Sequence, residues 1–160
     1  MANTNDDTAR VFEHRNLPLL LLQARERVIA RFRPALQAAG VTEQQWRIVR
    51  CLFESGPLEP RQIALLCAFS SASLAGVLAR MDDIGLVTRT RLGHDARRVQ
   101  VALTPKGRAL ARQLAPRIEA IYREIEAAIG APFARSFYDT LDELIVRLDP
   151  GNAAGENDPD

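Results

Sequence analysis

The chain has 160 residues, enough for about one domain with a core of its own. Hydrophobic residues make up 47% and charged residues 26%, an ordinary composition for a soluble globular protein. The formal net charge is only +1, so bulk charge announces no polyanionic partner, and any such case rests on where the charge sits.

Met1–Asn16 is polar and mixed in charge, without the basic-then-apolar order of a secretory signal. Leu19 to Leu22 is the longest aliphatic run, far short of the ~20 apolar residues that span a bilayer. The expected location is cytoplasmic, with no membrane partner. Cys51 and Cys67 both lie in apolar runs, which fits a reducing compartment. With His14 and His94 they offer no metal-ligand spacing, and no phosphate loop or nucleophile motif is present. No metal, cofactor or catalytic site is therefore expected.

In chain order, residues 1–16 and 150–160 have almost nothing to bury and read as flexible ends around a single domain at 17–149. A first helix begins near Leu17-Pro18, with Leu22, Ile29, Phe32 and Leu36 as its stripe, Pro34 inside it and Gly40 as its stop. Thr42 and Gln45 form a capping box for a second helix, in which Trp46, Val49, Leu52 and Phe53 recur at helical spacing before Ser55-Gly56-Pro57. Pro60–Cys67 is a short helix with Ile63, Leu66 and Cys67 on its apolar side. Ala68-Phe69-Ser70 is a tight turn, and Ser71–Ile84 is a helix facing inward with Leu74, Val77, Leu78 and Met81. Two short helices so joined make a helix-turn-helix.

The period then falls from 3.6 to 2. Leu86–Leu92 and Arg97–Thr104 are β-rich runs around the turn-like Gly93-His94-Asp95, so a hairpin follows the second helix directly. Thr104-Pro105 opens a long helix, Lys106 to Ile129, with apolar residues from Leu110 to Ile129 at steps of three and four and a bend expected near Arg112 ahead of Pro116. Pro132 opens a last helix with Phe133, Phe137, Leu141, Leu144, Ile145 and Leu148 inward. The expected fold is mainly α with a small β-hairpin wing: a winged helix-turn-helix with its DNA-binding lobe at about 57–104. One such lobe covers a half-site, so a homodimer is expected, with helices one, five and six at the dimer interface.

The hairpin concentrates positive charge. Arg89, Arg91, Arg97 and Arg98 stand against Asp95 alone, and an arginine-tipped β-ribbon suits the narrow minor groove. Ser70, Ser71 and Ser73 open the second helix of the motif, where one caps and the others approach phosphates and base edges. Arg80 has two readings, a phosphate contact or an ion pair with Asp82 or Asp83. His94 at the wing tip is a further DNA contact. No Asn or Gln lies on that helix, so specificity is expected to lean on shape. The partner is double-stranded DNA with a pseudo-palindromic operator.

These residues resemble the MarR family of transcriptional regulators. The wing motif of that family, Asp, any residue, Arg, then an alternating strand ending Leu-Thr, stands here as Asp95, Arg97 and Leu103-Thr104, and its helix-two opening stands as Thr42 and Gln45-Trp46. The resemblance implies that Arg97 enters the minor groove while Asp95 holds a wing arginine in place. Leu21–Glu26, Phe32–Pro34 and Thr42–Arg50 are similar to the subfamily of repressors of homoprotocatechuate (3,4-dihydroxyphenylacetate) degradation operons. That likeness implies release from the operator by a small aromatic carboxylate such as 4-hydroxyphenylacetate. Such a ligand needs an apolar slot and one cation, for which Arg25, Trp46 and Arg50 are candidates; the other reading makes Trp46 core and the arginines ion pairs. A thiol-sensing repressor using Cys51 or Cys67 is the alternative trigger.

Overall fold

The computed structural model describes residues 12–93 and 98–149. The chain divides at Pro116 into two compact units.

In the first unit, helix α1 spans Leu17–Ala38; Asn16 caps it by accepting from the Leu19 amide at 3.0 Å, and Pro18 sits harmlessly in the first turn. Helix α2 spans Glu43–Ser55 behind the expected capping box, Thr42 and Gln45 exchanging hydrogen bonds of 3.0 and 3.1 Å. Helix α3 is Pro60–Leu66 and helix α4 is Ser71–Asp83; they meet at 111°, the angle of a helix-turn-helix. Strands β1, Val87–Arg91, and β2, Val99–Leu103, pair antiparallel with Val87 opposite Leu103 and Arg91 opposite Val99. Leu58, just before α3, adds a two-bond bridge to Val101 midway along the hairpin, with N···O distances of 3.0 and 2.8 Å.

One core joins these pieces. Ile48, Val49 and Leu52 of α2, Ile63 of α3, Met81 of α4 and Val101 of β2 are all buried within it. Full burial of such side chains contributes about 1.5–3 kcal/mol each, far more than seven residues of helix propensity can give α3.

Helix α5, Pro105–Ile129, starts where Thr104 Oγ1 accepts from the Gly107 amide at 3.1 Å while its hydrogen bonds to the Gly85 carbonyl. Pro34 and Pro116 lie inside α1 and α5 without ending either helix. In the second unit, α6 spans Ala131–Arg147, with Ala134 buried and the Phe133 and Phe137 rings stacked 5.9 Å apart. No single helix among the described residues is long and apolar enough to cross a membrane.

Several apolar stripes expected to face inward do not. Leu66 is 62% exposed, because a seven-residue helix buries one stripe and Ile63 and Cys67 already occupy it. Leu22 on α1, Phe53 on α2, Ile129 on α5 and Phe133, Phe137, Ile145 and Leu148 on α6 are likewise exposed. Helical period finds an apolar face; it does not say what covers it.

At Gly107, α5 lies hard against Leu86 and Leu103. A β-carbon there would collide with the Leu86 carbonyl and lie 3.0 Å from Leu103 Cδ2. Gly107→Ala is expected to destabilise the fold by about 1–3 kcal/mol, read from urea unfolding; an unshifted midpoint would show that the α5 start yields freely.

Candidate nucleic-acid interface

The exposed side of α4 carries almost no bulk. Ser71, Ala72, Ser73 and Ala75 are exposed, and Gly76 and Ala79 half-buried, while Leu74, Val77, Leu78 and Met81 take the opposite side into the core. Ser70 caps the helix by accepting from the Ser73 amide at 3.2 Å, and its hydroxyl donates to Ser73 Oγ at 2.9 Å. Ser71 is left with a hydroxyl that has no partner among the described residues. The first-turn N–H groups and the helix dipole favour an anion at this end. A smooth helix with a positive N-terminal end is what entry into a major groove requires.

Arg80 makes no ion pair among the described residues. Its guanidinium lies back along α4, 3.5 Å from where a β-carbon on Gly76 would stand, so the cation sits on the same outer side as the serines. Asp82, one of its two expected partners, is taken by Arg89 of β1 at 2.8–2.9 Å.

Arg89 and Arg91 share one face of β1, two residues apart. Arg98, just before β2 at the outer end of the ladder, pairs with Glu59, the N-cap residue of α3, its Nε at 3.1 Å from the carboxylate. Folding thus adds two carboxylates, Glu59 and Asp82, to a hairpin that in sequence faced only Asp95. Arg91 is exposed at the end of β1. His94, Asp95 and Arg97, the expected wing tip, lie outside the described residues.

The residues singled out for an effector lie on α1 and α2. Trp46 is half-buried against the core, and Arg50 is one turn beyond it on the same side of α2, its Nε at 2.8 Å from Glu54. Arg25 pairs with Glu43 at the start of α2. Glu43 also receives Arg47, which no sequence motif marked. Arg47 donates to the Cys67 carbonyl at 2.8 Å and lies over the Phe69 ring. The signal for Glu59 was its place in a capping box with Gln62, whose side chain accepts from the Glu59 amide at 2.8 Å. For Arg47 there was none.

Cys67 is buried and Cys51 half-buried. Burial, reinforced by the neighbouring Cys51 thiol, pushes Cys67 up to about 12.

A model described as the MarR family matches residues 41–99, which covers α2 through the start of β2. A homoprotocatechuate degradative operon repressor of Escherichia coli is 38% identical over 91% of this chain and 97% of its own length. The crystal structure of transcriptional regulator PA4135 superposes with a TM-score of 0.82 at 37% identity, covering 86% of this chain and all of that one. The crystal structure of NadR in complex with 4-hydroxyphenylacetate does so with a TM-score of 0.73 at 36% identity, over 83% of this chain and 94% of the other. With a bare-faced second helix, a paired hairpin behind it and these likenesses along nearly its whole length, the chain belongs to the MarR family of winged-helix transcriptional regulators.

Proposed function

We propose that this regulator is a homodimeric repressor that holds a pseudo-palindromic operator and releases it on binding a phenolic carboxylate of the 4-hydroxyphenylacetate class. The observation that carries the DNA half is the uncovered small-residue side of α4 beside an arginine-bearing hairpin. The effector class is supported by likeness to a repressor named for homoprotocatechuate degradation and to a protein crystallised with 4-hydroxyphenylacetate.

In this reading α4 enters the major groove, with Ser70 capping, Ser71 and Ser73 close to phosphates and base edges, and Arg80 on the backbone. Arg91, His94 and Arg97 follow the minor groove, with Asp95 orienting a wing arginine. Arg89 and Arg98 reach phosphates by leaving Asp82 and Glu59, an exchange of one anion for another. The dimer is formed by α1, α5 and α6. Leu17, Leu21 and Leu22 on the first, and Phe133, Tyr138 and Ile145 on the last, present the exposed apolar surface that an obligate interface covers.

Arg25, Trp46 and Arg50 are the proposed effector site. A ligand carboxylate displaces Glu43 from Arg25 or Glu54 from Arg50, while its ring is buried beside Trp46. Binding that favours a different spacing of the two α4 helices then breaks the register of one half-site.

With saturating 4-hydroxyphenylacetate the melting temperature is expected to rise by several degrees and operator affinity to fall; a ligand that raises the melting point yet leaves operator affinity unchanged would sink the release mechanism. Arg97→Ala should weaken operator binding and lower the slope of log affinity against log salt by about one, measured by fluorescence anisotropy across a salt series. A thiol trigger is disfavoured by burial and by a Cys67 thiol held protonated. In native protein at pH 8, Cys67 is expected to react with a disulfide reagent only on unfolding, whereas rapid modification that also frees DNA would restore that trigger.

A further inference from the structure

The turn between α3 and α4 sets the direction in which α4 leaves α3, and it is strained. Ala68 has φ +51°, the one positive φ at a non-glycine residue among those described. A β-carbon disfavours this left-handed conformation, and such a residue persists where its surroundings over-determine it. Here both flanks are held by one residue of α2. Arg47 Nη1 donates to the Cys67 carbonyl at 2.8 Å, and the guanidinium carbon lies 4.7 Å from the centroid of the Phe69 ring. In return the Cys67 thiol donates to the Arg47 carbonyl at 3.7 Å. Residues 67 and 69, one on each side of Ala68, are both fastened to residue 47.

Arg47 is itself oriented. Its Nη2 lies 3.4 Å from Glu43 Oε1, one turn earlier in α2, and the same carboxylate takes Arg25 of α1. The Glu43 and Arg47 side chains are 24% and 33% exposed, so the pair is partly shielded from water. A line of contacts therefore runs from α1, through the start of α2, to the turn that aims α4.

We infer that Arg47 is a positioning residue for operator binding: it holds the Cys67–Phe69 turn, and with it the exit angle of α4, in the conformation that fits a half-site, and Glu43 and Arg25 set the orientation of its guanidinium. This rests on the operator-binding reading above. The task suits arginine, whose planar fork donates to a carbonyl at its edge while its face lies on a ring; neither lysine nor glutamine does both. Because Arg47 acts through the turn, its loss falls on sequence-specific binding, which needs α4 placed accurately. Charge-driven binding to any duplex is spared.

The test begins with an operator selected from a random duplex library by the wild-type dimer. For Arg47→Gln, operator affinity is expected to fall roughly tenfold or more while affinity for a random duplex changes less than about twofold, with the salt slope unchanged. Glu43→Gln is expected to act in the same sense at about two- to fivefold. Amide hydrogen exchange at Phe69 and Ser70 in the free protein should speed up in Arg47→Gln. If that variant does not fold, Arg47→Lys replaces it, with a smaller loss in the same pattern. Operator and random affinities falling together with a shallower salt slope would make Arg47 a phosphate contact and overturn the inference. Unchanged exchange at Phe69 and Ser70 would overturn it as well, with no operator needed. A selection that enriches no sequence would count against the operator reading alone.

Discussion

The outer side of α4 can stay bare only because its other side is anchored so firmly. A thirteen-residue helix is marginal in water by itself, and Ser71, Ala72, Ala75 and Gly76 add no packing to hold it. Leu74, Val77, Leu78 and Met81 supply the apolar anchorage by burial against α2, α3 and the hairpin. The hairpin and the turn before α4 refer back to that burial. The wing is in place because Val87, Val101 and Leu103 share the same core, and the left-handed Ala68 stands between Cys67, which is part of that core, and Phe69, which packs against it.

Charge is arranged with the same economy. The net charge is only +1, and the fold lays Glu59 on Arg98 and Asp82 on Arg89. Pairs as exposed as these contribute about 0–1 kcal/mol, so they order the hairpin's arginines without locking the cations away.

Much of this was legible from residue order alone. Local chemistry was the clearest part: the Thr42 and Gln45 box, the Ser70 cap, the proline-opened α3, and the change of period at Leu86 all lie within a few residues of what they control. Helix ends came within a residue, with α5 starting at Pro105 and α4 closing at Asp83. What escaped was everything carried across the fold. Arg98 and Glu59 are 39 positions apart, and Arg47 and the Cys67 carbonyl are 20 apart, so no spacing rule brings them together. The apolar faces of α1 and α6 were visible as stripes, yet a stripe that meets a core and a stripe left exposed on the chain have the same period.

The bridge between Leu58 and Val101 has a quieter consequence. Among the described residues it gives the two-stranded ribbon a third partner at a single point, the buried Val101 midway along the ladder. Register is therefore pinned beside the core, where an error would reverse every buried side chain. Beyond that point the ladder runs on to Arg91 and Val99, and the Leu92 amide donates to the Arg98 carbonyl at 2.9 Å. A substitution on the exposed strand β1 can therefore change the chemistry of the ribbon's surface while its alignment on the core stays as it was.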